Sequence, residues 1–217
     1  MRPDRVELVV PFGIPEYEAR RFLAQHQDWV REKLAVARQR LSVIPTTLSV
    51  LSEQGMVPFQ GVEREVRLIE TVSRQVRATL SDTGVFEIHG PSSALSSEDI
   101  IKSALHRALS PWLQAEIKRY VTQWEALEGL RPRYIRIKRM RSRWGSCGPQ
   151  GDININWILA LMPPEMLEYV VFHELCHLRH RNHSASFWSL VESRIPDWRQ
   201  RRAWLKKEGG LWVSRFS

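Results

Sequence analysis

The chain has 217 residues, 43% hydrophobic and 26% charged, enough to bury a full core as one domain or as one domain with a smaller module. Lys and Arg outnumber Asp and Glu by 32 to 24, and the resulting +8 favours anionic partners without choosing among nucleotide, nucleic acid and acidic protein. No run approaches the ~18 apolar residues of a membrane span, the run from Val6 is too short and too charged for a signal peptide, and Cys147 and Cys176 are too few for a disulfide framework, so a cytoplasmic chain with reduced thiols is predicted.

In chain order, alternation predicts a strand over residues 5–10, a turn over 11–15 and a helix over 16–40. Phe22, His26, Trp29, Leu34, Ala37 and Leu41 recur at steps of three to five residues and predict one packing stripe. A membrane-surface role is weaker, because the polar face mixes Glu16, Glu18, Asp28 and Glu32 with the arginines. Between residues 46 and 89, short alternating runs at 65–69, 75–80 and 85–88 are separated by Gly55, Gly61, Asp82-Thr83-Gly84 and Gly90-Pro91. They predict a small antiparallel sheet with a tight hairpin at 82–84, suited to support or to presenting an edge. After a linker over 92–97, Ile101, Leu105, Ala108, Trp112, Ile117, Tyr120, Trp124 and Leu127 predict a long helix ending at Gly129, kinked or split by Pro111. The chain is thus expected to divide into an N-terminal α/β extension, 1–92, and a second domain, 93–217.

Residues 131–143 hold seven Arg or Lys in thirteen positions. Ile135 and Ile137 alternate with Tyr134, Arg136 and Lys138 as in a strand. Arg141 and Arg143 lead into the loop Trp144-Gly145-Ser146-Cys147-Gly148, where either could clamp a carboxylate or phosphate. Asp152, Asn154 and Asn156 alternate with Ile153, Ile155 and Trp157 in a polar-faced strand that could align an extended substrate. Pro163-Pro164-Glu165 then opens a helix with Met166, Leu167, Val170 and Val171 on a broad apolar surface.

That helix carries His173-Glu174-Leu175-Cys176-His177. Residues four apart on a helix sit one above the other, so His173 and His177 can share one divalent ion, with Glu174 beside them to take a proton from water. Two protein ligands leave the set incomplete. His180, at i+7, lies about 10 Å along the axis from His173 and cannot join it. A helix stop near residues 181–182, where Asn182 tolerates the left-handed conformation, would return His183 to the ion. The predicted ligands are therefore His173, His177 and His183, with His180 solvent-facing or behind the ligands, and Glu192 as the fallback third ligand. Beyond them, residues 184–194 predict a helix with Phe187, Trp188 and Val191 inward, Ile195-Pro196-Asp197 a break, and a basic helix runs to Lys207 before a tail from Gly209-Gly210.

The runs Arg139-Met140-Arg141-Ser142-Arg143-Trp144-Gly145-Ser146-Cys147, Asn156-Trp157, His173-Glu174-Leu175-Cys176-His177-Leu178, Asn182-His183-Ser184, Phe187-Trp188 and Pro196-Asp197-Trp198 occur in the order of the YgjP-like metallopeptidase family, which this chain resembles. That family is related to the SprT and WLM metalloproteases. The match over 131–207 is specific, and the part from Val6 through Trp29-Val30 is similar but looser. Against the family pattern, the chain would begin within an early β-hairpin. The resemblance implies an α+β fold: a zincin-like minimal metallopeptidase core, built of the H-E-x-x-H helix and a small antiparallel sheet, with an N-terminal β-rich extension. It also implies one zinc ion on His173, His177 and His183, Glu174 as general base, and an alternative activity, nucleoside-triphosphate pyrophosphohydrolysis with UTP as substrate.

Three functions follow. The first is a zinc metallopeptidase with the Asn154/Asn156 strand aligning a peptide or protein. In the second, the same metal site attacks a nucleotide phosphate held by Arg141 and Arg143. The third is a non-enzymatic nucleic-acid module, which is not favoured: Glu174 has no task at a structural site, such sites prefer four Cys-rich ligands, and no nucleic-acid-binding motif is visible.

Overall fold

The computed structural model describes residue 8, residues 10–42 and residues 55–216, so the strand expected over 5–10 falls largely outside the described residues. Contacts divide the chain into two compact units, Met1–Pro45 and Thr46–Ser217, and the expected division at 92/93 falls inside the second. In the first unit the single helix expected over 16–40 is two, α1 (Glu16–Gln25) and α2 (Gln27–Ser42). The break is at His26, whose ring stacks on Phe22 and whose Nδ1 lies 2.9 Å from the Phe22 carbonyl. Phe22 and Trp29 remain about half exposed, so the predicted packing stripe is not buried there.

The second unit opens with a four-stranded sheet: β1 (Met56–Phe59), β2 (Val62–Glu70), β3 (Arg77–Leu80) and β4 (Phe86–Gly90). The β1–β2 turn places Gln60 and Gly61 in succession at φ of 54° and 74°, the left-handed pair that a two-residue hairpin requires. The expected hairpin at 82–84 is present, closed by Ser81 N donating to the Val85 carbonyl. The sheet is mixed rather than antiparallel as expected. Its order is β1-β2-β4-β3, with β2 parallel to β4, because the β3–β4 hairpin lays β4 rather than β3 beside β2. That order directs Val57, Val66, Ala78, Phe86 and Ile88 into one core.

After α3 (Ser92–Leu95), α4 (Glu98–Glu128) runs without interruption through Pro111. A helix-interior proline costs about 3 kcal/mol. Ile101, Leu105, Leu109, Leu113, Ile117, Tyr120 and Trp124 are all buried, and at about 1.5–3 kcal/mol each their burial outweighs it. A second sheet follows, of β5 (Tyr134–Lys138), β6 (Gly145–Cys147) and β7 (Asp152–Asn156). It too is mixed: β7 lies in the middle, parallel to β5 and antiparallel to β6.

A 3-10 turn at Trp157–Ala160 carries the chain into α5 (Pro164–Cys176), which begins with Pro164 in its first turn as expected. The tip of the β1–β2 hairpin fixes this approach, Gln60 N and Gly61 N donating to the carbonyls of Ala160 and Leu161. A Cβ at Gly61 would stand 3.0 Å from Pro163, so glycine is needed for the approach as well as for the turn. Helix α4 packs on α5, with Trp124 and Phe172 rings 4.5 Å apart. Three helices complete the chain: α6 (Ala185–Arg194), α7 (Trp198–Lys207) and α8 (Gly209–Phe216). The last replaces the expected tail, because Phe216 is fully buried in the core. The fold is α+β with small mixed sheets, and among the described residues no helix is long and apolar enough to cross a membrane.

Candidate metal centre

Helix α5 places His173 and His177 one turn apart, their ring centroids separated by 5.0 Å. The helix stops earlier than expected, with His177 as its C-cap, and among the described residues Asn182 does not take a left-handed conformation. A turn over 177–179 is closed by His180 N donating to the Cys176 carbonyl, and it returns the chain to the helix face. Ser184 then caps α6 by accepting a hydrogen bond from Phe187 N. His183 is thereby brought to the other two histidines, its Nε2 standing 3.1 Å from His173 Nε2.

One ligand nitrogen from each of His173, His177 and His183 lies within 4.8 Å of the others. Nitrogens sharing a tetrahedral zinc at about 2.0–2.1 Å stand roughly 3.3 Å apart, so the three are arranged to fit one ion. His177 Nδ1 lies 3.0 Å from the His180 carbonyl, which fixes that ring and leaves Nε2 for the centre. The backbone of His180, not its imidazole, supports the site. Glu192 plays no part in the triad; it is paired with Arg199 at 2.5 Å.

Phe187, fully buried on α6, forms the floor, with ring centroids 5.0, 4.6 and 4.8 Å from those of His173, His177 and His183. Trp188 stacks on His183 at 5.4 Å and on Trp198 at 4.0 Å, a column that braces the exposed third ligand. Burial in this shell, with the neighbouring histidines and Arg202 adding to it, holds the His173 pKa down to about 3, so the imidazole stays neutral and free to ligate.

Glu174 is 7% exposed, and burial pushes its carboxyl up to about 7 while the Arg143 charge opposes the shift. The carboxylate lies directly against β6: a Cβ at Gly145 would fall 2.6 Å from Glu174 Oε1. A cleft of about 380 Å³ opens over these groups, bounded by Gly145, His173, Glu174, Trp188, Arg202 and Lys206 among others. Trp144, at its rim, rests on the backbone of Gly209, where a Cβ would stand 2.3 Å from the indole.

The four residues expected to bind substrate do not line this cleft. Arg141 and Arg143 are exposed outside it, although the charge of Arg143 is felt at Glu174. Asn156 is fully buried and braces the loop before β6, its Nδ2 donating to the carbonyls of Met140 and Arg143 at 2.7 and 2.9 Å. Asn154 Nδ2 donates to Ser146 Oγ, a cross-strand contact. Because β7 is paired on both sides, it cannot receive a substrate strand; β6, an edge strand, can. Arg202 and Lys206 were not expected here; four apart on α7, they carried a sequence signal only in that helical spacing.

Three convergent imidazoles, two of them lining the cleft, with a buried carboxylate beside them, are the equipment of a metal-dependent hydrolase. The profile of the YgjP-like, metallopeptidase domain matches residues 1–208, and the chain belongs to the YgjP-like metallopeptidase family. Among solved structures, the metallopeptidase zymogen abylysin of Pyrococcus abyssi is similar over 42% of this chain and 93% of its own, at 24% identity and a TM-score of 0.37. No curated protein matches the chain.

Proposed function

We propose that the chain is a zinc-dependent peptidase with a zincin-like core, holding one ion on His173, His177 and His183 and using Glu174 as its general base. The observation that carries this reading is the contact of Glu174 with the glycine of an edge strand. An extended peptide hydrogen-bonded to the free edge of β6 would run past the carboxylate beside the triad. When bound, zinc supplies Lewis-acid polarisation of the scissile carbonyl and lowers the pKa of water.

The residues of the chain do the rest. Phe187 and Trp188 keep the imidazoles oriented and the centre dry. Glu174 accepts the proton of the attacking water and then delivers it to the leaving amine. Its burial beside the triad suits a group that must both take and return a proton. Gly145 lets the carboxylate approach the substrate strand, and Asn156 holds the loop that precedes it. The nucleotide alternative relied on Arg141 and Arg143 as phosphate ligands, and both stand outside the cleft lining.

The test incubates the zinc-loaded protein with unfolded casein and, separately, with UTP, using Glu174→Ala as control. Casein fragmentation that disappears in the variant and on chelation supports the peptidase. Pyrophosphate release from UTP that depends on Glu174, with casein intact, replaces it with the nucleotide hydrolase.

A further inference from the structure

Helix α7 carries five basic residues, Arg199, Arg201, Arg202, Lys206 and Lys207. Three of them have carboxylate partners. Arg199 pairs with Glu192 at 2.5 Å, Arg201 with Glu168 at 2.7 Å and Asp197 at 2.9 Å, and Lys207 with Glu208 at 3.2 Å. Among the described residues, Arg202 and Lys206 have no carboxylate within ion-pair distance. These two, one helical turn apart, are the ones that face the metal cleft. They also border an adjoining hollow of about 370 Å³ beside Trp198 and Ala203.

Arg202 is not loosely placed. Its guanidinium carbon stands 5.0 Å from the centroid of the Trp188 ring, which itself stacks on His183. Like charges four apart on a helix repel, and the triad in the same cleft is built to hold a divalent cation. The only carboxylate among the described residues that line the cleft is Glu174, committed to the chemistry. Among the described residues no further carboxylate stands in the cleft to relieve this wall, and a bound substrate can supply one.

Building on the peptidase reading, we infer that the α7 wall selects substrates: Arg202 and Lys206 bind an acidic side chain of the peptide close to the scissile bond. The two cations make a carboxylate subsite beside the triad, and a peptide with Glu there is favoured over the same peptide with Gln.

The experiment uses zinc-loaded Glu174→Gln protein, to prevent turnover, and fluorescein-labelled peptide pairs with Glu or Gln at single positions on either side of the central bond. Fluorescence anisotropy should show one Glu peptide binding about tenfold more tightly than its Gln twin at low salt, the scale of one charge-assisted contact. Adding R202Q and K206Q should erase that preference, while adding K207Q, whose charge is taken up by Glu208, should leave it. Zinc content and circular dichroism check that each variant is folded. Equal binding of every Glu and Gln pair, no binding of any peptide, or a preference removed as fully by K207Q as by R202Q/K206Q, overturns the inference. Turnover of the same peptides by the wild-type chain reports separately on the peptidase. Cleavage without a Glu preference in binding removes the subsite and keeps the activity; a Glu preference without cleavage keeps the subsite and removes the activity.

Discussion

Replacing Glu174 with Gln should stabilise the metal-free protein at alkaline pH while abolishing turnover of the loaded one. The carboxyl is 7% exposed, and burial raises its pKa from 4.5 to about 7. The folded chain therefore holds this proton more tightly than the unfolded chain does. Between those two values native stability falls as pH rises, and above the upper one the loss is complete. A shift of that size corresponds to about 3 kcal/mol, of which only a small part is felt at pH ~5. Gln has nearly the same shape and no charge to bury, so its advantage over wild type should grow by about 2–3 kcal/mol between pH ~5 and pH ~8. Urea titrations of chelated protein followed by tryptophan fluorescence would measure it. Zinc should shrink the difference, because a nearby dication favours the carboxylate. An advantage of equal size at both pH values would refute the reasoning, since every other titrating group is common to the two proteins.

Four further substitutions probe the parts around that carboxylate. His183→Ala should lower zinc affinity by more than about 100-fold, beyond the effect of losing a supporting contact, whereas His180→Ala, which leaves its carbonyl in place, should keep near-stoichiometric metal by atomic absorption. Gly145→Ala would push a Cβ into Glu174, and should cut kcat far more than it cuts bound zinc. Asn156→Ala removes the donor to the carbonyls of Met140 and Arg143 in a part-buried site; thermal unfolding should show a loss of about 1–3 kcal/mol.

What could be read from the residues depended on whether the information was local. His173, Glu174 and His177 share one helix, so their spacing alone brought them together, and Pro163-Pro164 marked where that helix begins. His183 was reachable because it follows within a few residues, although the turn that returns it is made at 177–179 and not at Asn182. Strand pairing was not local. Alternation along β2, β3 and β4 marks a pleated, half-buried surface equally well for either direction, so only the structure reveals that β2 and β4 run parallel. The same limit applies to Asn154 and Asn156: their polar alternation is real, and the structure places it on a middle strand whose side chains hold a neighbouring strand and loop. Pro111 misled for a related reason. Its helix-breaking cost is intrinsic, while the burial that outweighs it comes from tertiary contacts along α4.

The apolar shell acts on the acid and on the base in opposite directions and to the same end. Removal from water raises Glu174 and lowers His173, so burial alone drives each group toward its uncharged form. For His173 that form is also the one that ligates, so burial frees this ligand from a competing proton near neutrality. For Glu174 burial keeps the proton and the carboxylate close in free energy near neutrality while no cation is bound. A polar pocket would ionise Glu174 well below neutrality. Phe187 under the three imidazoles and the bare backbone of Gly145 against the carboxylate therefore set the environment of both groups, although neither residue carries a reactive atom.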